Sequence, residues 1–443
     1  MSRSGLTKWI YVGLHIKRWL VLLLLGVAIM GLGFAYLLRE FYLVYTFPEW
    51  TYYATLQFIP RWLRGMMFIS VASALTLFAG WRLNRSLATS LVNPGDESNI
   101  VDLVYQRRTL SRGPKIVAIG GGTGLANLLR GLKKYSSNLT AVVTVADDGG
   151  SSGRLRRDRH IIPPGDIRNC IAALAEAEPL VTQLFQHRFA EHEGDDIGGH
   201  SFGNLFITAM ADVTGSMELG IAETSRVLNV RGAIVPASLA DVTLSARFRD
   251  GTTIHGESKI PDTGEPPVEV FIDPSDVMAH PAAVRAIREA DFIVIGPGSL
   301  YTSILPNLLV PEIGRALVES AAHRVYISNV ATQRGETDGY TAADHYGALR
   351  RHLKSDAVAQ VVLANSNLPS DPFPEEWRST PVTASGDADY GNARLVLLDI
   401  VDHERRYRHD VESLATAVMR LYYERDLRTQ PAVDTAAAPS TPD

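Results

Sequence analysis

A single cysteine, Cys170, occurs in 443 residues. That excludes an intramolecular disulfide and a cysteine-built metal cluster, and it suits a reducing compartment. An excess of positive charge is missing too, with 43 Lys and Arg against 48 Asp and Glu and a net charge of -5. Partners of nucleic acid usually carry a basic face, so no nucleic acid is expected. There is no internal repeat, and low-complexity sequence is confined to the Ala-, Pro- and Thr-rich end 429–443, which reads as a disordered tail. What is present is a core: 46% hydrophobic and 21% charged residues, in a chain longer than one core normally serves.

Long apolar runs are concentrated near the start. Trp19–Leu38 has no charge and is long enough to cross a hydrocarbon core as a helix, and Gly65–Trp81 is at the short end of that range. Between them Phe41, Tyr42, Tyr45, Trp50, Tyr52, Tyr53 and Trp62 supply the amphipathic rings that favour a membrane boundary. A cleaved signal peptide is a poorer fit, because the first run is too long and a second follows it. Arg3, Lys8, Lys17 and Arg18 precede the first run and Arg82 and Arg85 follow the second, against Arg39, Arg61 and Arg64 between them. The bias favours a two-helix hairpin over 1–85 with both ends cytoplasmic, anchored in the inner membrane. A polar linker, 86–114, carries the turn Asn93-Pro94-Gly95. The main domain is then 115–428, on the cytoplasmic side.

Within that domain, β-branched runs alternate with helical patterns. Lys115–Ile119, Thr140–Ala146, Phe292–Ile295, Val325–Ser328 and Val361–Ala364 read as buried strands. Leu125–Tyr135, Ile167–Ala177, Asn204–Val213, Ala282–Ala290 and Glu312–Ala322 read as helices between them. This is the pattern of an α/β fold, a mainly parallel sheet with helices on both faces. Asp241–Ile260, with Asp250-Gly251 at its centre, reads instead as an inserted β-hairpin.

The first strand runs into Gly120-Gly121-Gly122-Thr123-Gly124 and a helix, which together offer close backbone approach and free N–H groups to an anion. The spacing is neither the dinucleotide fingerprint nor a Walker A loop. The second strand ends in Asp147-Asp148-Gly149-Gly150-Ser151, where a carboxylate suits ribose hydroxyls or a divalent cation. Adjacent acids in an extended chain point opposite ways, so one of Asp147 and Asp148 faces the ligand. Arg154, Arg156 and Arg157 follow as a phosphate clamp or a basic surface run. Asp166 reads as a helix cap and Cys170 as a small core residue. Gly199-His200-Ser201-Phe202-Gly203 matches a nucleophile elbow in letters only, because no hydrophobic strand precedes it. His200, Ser201 and Asn204 are better placed at a helix start, as caps or ligand contacts. A further glycine loop, Gly296-Pro297-Gly298-Ser299-Leu300-Tyr301-Thr302, closes the strand at 292–295 and also suits phosphate. The two loops converge if their strands flank a topological switch point.

Taken in order, GGGTGL (Gly120–Leu125), TVADDGGSSGRLR (Thr144–Arg156), PGDIRN (Pro164–Asn169), GHSFGNL (Gly199–Leu205), GPGSLYTSILPNLL (Gly296–Leu309) and TQRGETDGY (Thr332–Tyr340) closely resemble the gluconeogenesis factor (YvcK-like) family. That family is related to the phospholactate transferase of coenzyme F420 synthesis. Arg334 stands where proline is expected, and the N-terminal hairpin lies outside the common core. The resemblance implies a Rossmann-like fold that binds a UDP-sugar, notably UDP-N-acetylglucosamine. It also implies a regulator of cell shape and cell-wall precursor supply under gluconeogenic growth. The expected contacts are Gly121, Gly122, Thr123, Gly124, Asp147, Asp148, Ser151, His200, Asn204, Gly296, Gly298, Ser299, Tyr301 and Thr302, with no residue assigned to catalysis. No cofactor is required beyond the ligand, with a divalent cation as an optional companion. Cell-wall precursor enzymes and a second copy of the chain are the protein partners to consider. The competing reading is a metal-dependent transferase that loads a deazaflavin from a nucleotide-activated donor. A nicotinamide dehydrogenase rests on fold analogy alone.

Overall fold

Strands that are apolar on both faces need cover on both faces, and the runs read as strands pair into one sheet accordingly. In the computed structural model, residues 16–45, 48–91, 109–176, 179–191, 196–369, 373–374 and 378–427 are described. The strands are β1 (Ile116–Gly120), β2 (Leu139–Val143), β3 (Ala233–Pro236), β4 (Thr243–Arg247), β5 (Thr253–His255), β6 (Glu269–Asp273), β7 (Phe292–Ile295), β8 (His323–Ile327), β9 (Val361–Asn365) and β10 (Arg394–Leu398). Seven of them form a sheet in the order β10-β9-β8-β7-β1-β2-β3, every pair parallel. All residues of β1, β7 and β9 are buried. The α/β class and the mainly parallel sheet are therefore as expected.

Helix Gly122–Leu132 buries Leu125, Ala126, Leu128, Leu129 and Leu132, a stripe at helical spacing, and packs against helices Gly165–Leu174 and Val411–Leu427. Each such leucine taken from water contributes about 1.5–3 kcal/mol. This helix begins at Gly122, earlier than read, with Gly122 itself at φ 65°. The edge strands β3 and β10 escaped the reading. β3 is short and ends in Pro236, and β10 has only exposed and half-buried positions.

The expected hairpin is β4 and β5, with Ser245 opposite His255 and Arg247 opposite Thr253. Its turn has Gly251 at φ 87° and the Thr252 N–H bonded to the Asp250 carboxylate at 2.8 Å. β6 adds a third antiparallel strand, giving the order β5-β4-β6.

The chain divides into two units, Met1–Arg108 and Thr109–Asp443. The first contains helices Ile16–Val44, Glu49–Ala54 and Arg61–Leu91. Many of its apolar side chains are exposed, among them Leu32, Phe34, Leu37, Trp50, Trp62 and Ile69. Counted over the described residues, however, no single helix is long and apolar enough to cross a membrane. Arg61, Arg64, Arg82 and Arg85 all fall within the second long helix. The expected spanning hairpin thus gains two long helices but no demonstrated span. The bent pair Phe202–Thr214 and Met217–Val227 does meet the length and composition of a span, at 118°. Ile207, Ala211 and Ile221 of that pair are buried in the core. Residues 92–108 of the expected linker and the tail 429–443 lie outside the described residues.

Candidate functional site

Strand order reverses between β1 and β7, and a crevice opens at the carboxyl ends of strands at such a point. Ile119 of β1 pairs with Ile295 of β7, so the glycine loops that follow lie side by side. A Cβ on Gly124 would stand 2.7 Å from the Pro297 carbonyl, and only glycine permits that approach. Asn307, fully buried, donates from Nδ2 to both Gly120 O (3.0 Å) and Ser303 O (2.8 Å).

A cleft of about 650 Å³ opens over the loops. Gly121, Gly122, Thr123, Gly124, Gly298 and Ser299 line one wall, as the sequence led us to expect. The loops differ in what they offer. The Gly298 N–H donates to Asn329 Oδ1 (3.3 Å), and Asn329 Nδ2 returns a bond to Gly298 O (2.9 Å). Gln333 Nε2 donates to Ser299 Oγ at 2.7 Å. The β7 loop is thus tied by side chains, while the start of helix Gly122–Leu132 is where backbone N–H groups could meet an anion.

Other expected contacts lie outside the cleft lining. Gly296, at φ 79°, makes the turn that starts the loop. Tyr301 and Thr302 fold into a buried π-turn, Leu300–Ile304. There Tyr301 OH meets Tyr340 OH at 2.9 Å, and the Thr302 hydroxyl donates to Glu336 at 3.2 Å. Ser151, His200 and Asn204 form a buried polar cluster: Ser151 Oγ lies 2.9 Å from His200 Nδ1 and accepts from Asn204 Nδ2 at 3.0 Å. Ser201, as expected, caps helix Phe202–Thr214.

Asp147 and Asp148 part company as an extended chain requires. Asp148 Oδ1 accepts the Ser258 N–H at 2.8 Å, fixing the segment after β5. Asp147 Oδ1 accepts the Gly149 N–H at 2.9 Å and lies close to Gly165. Asp166 does not cap its own helix, whose N-cap, Pro164, has no side-chain bond. Its carboxylate instead lies against Gly121 and accepts the Gly122 N–H. Burial, then repulsion from Asp147, pushes Asp166 up to about 6. Burial and the carboxylates of Asp147, Glu336, Asp148 and Asp166 push Glu257 up to about 8. Glu336 rises to about 7 through burial, against the opposing pull of its bonds around Thr302.

These carboxylates are the groups that could meet a divalent cation. No set of three His, Cys, Asp or Glu side chains among the described residues is arranged to hold one. Asp147 and Asp166 lie near enough to repel one another, and neither lines the cleft.

The opposite wall was largely missed. It consists of 329–334, Glu336, Arg378, Ser379 and Tyr407–His409. Three arginines, Arg334, Arg378 and Arg408, stand on this wall, with the Arg408 guanidinium 5.2 Å from the centre of the Tyr407 ring. His409 is buried, which holds its pKa down at about 4, and bonds Ser328 O from Nε2 at 3.2 Å. The segment after β8 was quoted in TQRGETDGY and could have been placed by following the strand at 323–327 to its end. Arg378 and Tyr407–His409 lie in loops that carry no motif.

The family model for 2-phospho-L-lactate transferase CofD matches residues 116–398. The chain belongs to that family, in its gluconeogenesis factor branch. A putative gluconeogenesis factor of Nostoc sp. is 45% identical over 423 residues, covering 94% of this chain and 92% of the relative. The gluconeogenesis factor of Bacillus subtilis is 53% identical over 258 residues, 58% of this chain and 81% of that protein. The crystal structure of protein BH3568 from Bacillus halodurans superposes with a TM-score of 0.66 at 45% identity, covering 70% of this chain and 100% of that one. The matched segment holds both glycine loops and the arginines Arg334 and Arg378, and stops short of Tyr407–His409.

Proposed function

We propose that the cleft binds a UDP-sugar, UDP-N-acetylglucosamine, and that the protein acts as a regulator of cell shape and cell-wall precursor supply under gluconeogenic growth. One observation carries the reading: a glycine loop at a helix N-terminus and three arginines line a single cleft. Such a pair of walls suits a diphosphate, with backbone N–H groups on one side and planar guanidinium groups on the other. Tyr407 supplies an aromatic face for the base. A regulator is favoured over a catalyst because the two bonded Ser–His pairs, Ser151–His200 and Ser245–His255, both lie outside the cleft lining. Calorimetric titration of the full chain with UDP-N-acetylglucosamine tests the assignment. A folded chain that gives no binding heat at millimolar ligand defeats it.

The second reading is a transferase of the phospholactate type, favoured by the matching family model and by the acids at the end of β2. In it, Asp147 and Asp166 would hold a divalent cation, which would neutralise phosphate charge on the donor. Formation of a phospholactyl deazaflavin by the purified chain would replace the regulatory reading.

The exposed apolar helices of the first unit support a further part of the proposal, that 1–85 is a membrane hairpin with the main domain in the cytoplasm. The partners would then be membrane-associated enzymes of cell-wall precursor synthesis. A reporter fused to the C-terminus should be active in the cytoplasm, and periplasmic activity would reverse the topology.

A further inference from the structure

Arg154, Arg168 and Arg188 come from three separate segments and meet around one strip of backbone, 198–203. Arg154 Nη2 donates to Gly198 O at 2.8 Å, and Arg188 Nη1 donates to the next carbonyl, Gly199 O, at 2.6 Å. Arg188 also pairs across an antiparallel bridge with Ser201. The Arg168 stem packs against Gly203, where an added Cβ would stand 2.8 Å from Cγ. His200 lies in the same strip, buried against Ser151. None of these four side chains lines the cleft over the glycine loops.

Carboxylates border the cluster, since Glu191 lies against Gly199 beside Arg154 Nη2 and Asp158 acts on His200, but they leave the guanidinium groups without a direct ion pair. No ion pair among the described residues includes Arg154, Arg168 or Arg188. Arg168 lies near Asp166 and Asp147 on one side and is repelled by Arg188 on the other. Its Nε is buried and has no acceptor, while Nη2 donates to Asn169 Oδ1 at 2.9 Å. A buried donor of this kind calls for a partner. Arg154 and Arg188 each spend one terminal nitrogen on a carbonyl and keep further donors of the guanidinium fork. The N-terminus of the thirteen-residue helix Phe202–Thr214, capped by Ser201, adds the positive end of its dipole to the strip.

We infer that Arg154, Arg168 and Arg188 form a second oxyanion site, built for the phosphate group of a soluble phosphomonoester and separate from the glycine-loop cleft. The site lies beside Asp166, so two anionic groups would flank the acids at the end of β2. It does not depend on what the cleft binds.

The test is calorimetric titration of the full chain with inorganic phosphate, comparing the unaltered protein with Arg188→Gln and Arg154→Gln. Each variant is checked for folding by thermal unfolding, and Arg408→Gln serves as a control on the cleft. The expected result is a phosphate-binding component that weakens on the order of tenfold or more in both variants and persists in Arg408→Gln, which removes only a cleft contact. Binding equal in all four proteins would reduce the cluster to an adventitious anion contact and overturn the inference. So would binding lost only on Arg408→Gln, which would place phosphate in the cleft. Sedimentation with phosphatidylglycerol vesicles separates the sources. Arg188-dependent vesicle binding without phosphate binding would assign the site to a lipid headgroup and overturn the soluble class. A chain that binds phosphate through Arg188 but takes no UDP-N-acetylglucosamine would refute the proposed function and leave this inference standing.

Discussion

The two walls of the cleft are made of different material. One is backbone: glycine loops that can touch because neither carries a side chain, with a helix N-terminus aimed between them. The other is side chain: Arg334, Arg378, Arg408 and Tyr407, presented from loops after β8, before β10 and after β10. A backbone wall recognises charge and shape common to many phosphate ligands. A side-chain wall can change residue by residue without moving the fold, so it is where one ligand is told from another. The difference predicts that damage to the first wall is structural and damage to the second is selective.

The largest effect should come from Gly124→Val. Its Cβ would stand 2.7 Å from the Pro297 carbonyl, and both partners are backbone. We expect a stability loss of about 1–3 kcal/mol and a loss of UDP-N-acetylglucosamine binding. Chemical denaturation and calorimetry read both, and a stable variant that still binds would break the comparison. Next, Arg408→Gln and Arg378→Gln should weaken binding by about 1.5–3 kcal/mol each, as expected for losing a charge-assisted bond. Their unfolding should stay within about 0.5 kcal/mol of the parent protein. A large stability loss would show that the second wall is structural as well.

The smallest effect concerns pH. Glu257, Glu336 and Asp166 sit at about 8, 7 and 6, above their ordinary 4.5, 4.5 and 3.8. The folded chain therefore keeps protons that the unfolded chain releases. That contribution is complete below the ordinary values and is lost as pH rises through 6, 7 and 8. His345 and His409, held near 4 from 6.5, act oppositely: their contribution is present above 6.5 and is lost as pH falls towards 4. Thermal unfolding should show declining stability from pH 6 to 9, with a shallower fall from 7 to 9 in Glu257→Gln. An unchanged slope in that variant would remove Glu257 from the account.

The legible wall was legible for a physical reason. A buried strand ending in glycines leaves a period and a composition that survive in one dimension, as at Ile116–Gly124 and Phe292–Gly298. Arg378 and Tyr407–His409 had no such mark, since an arginine in a loop looks the same whether it faces a cleft or solvent. Ser151, His200 and Asn204 differ again: read as ligand contacts, they bond to one another in the interior outside the cleft lining, with Asn204 Oδ1 left unpartnered. Asp166 shows a third kind of error. Its position before a helix suggested a cap, and only the packing of two loops revealed that it serves the amide of Gly122. The fold was easier because apolar periodicity reports on every residue of a strand, whereas a site depends on a few residues far apart in the chain.

With a single amide group Asn307 binds the carbonyl of Gly120, which opens one glycine loop, and that of Ser303, in the π-turn that closes the other. Two loops that could each sample many shapes are thereby reduced to one body before any ligand arrives. A ligand that meets the first loop does not have to order the second, so the entropic penalty of shaping the floor falls on folding instead of on binding. For the proposed ligand, affinity would then be set partly by a residue that the ligand does not need to touch.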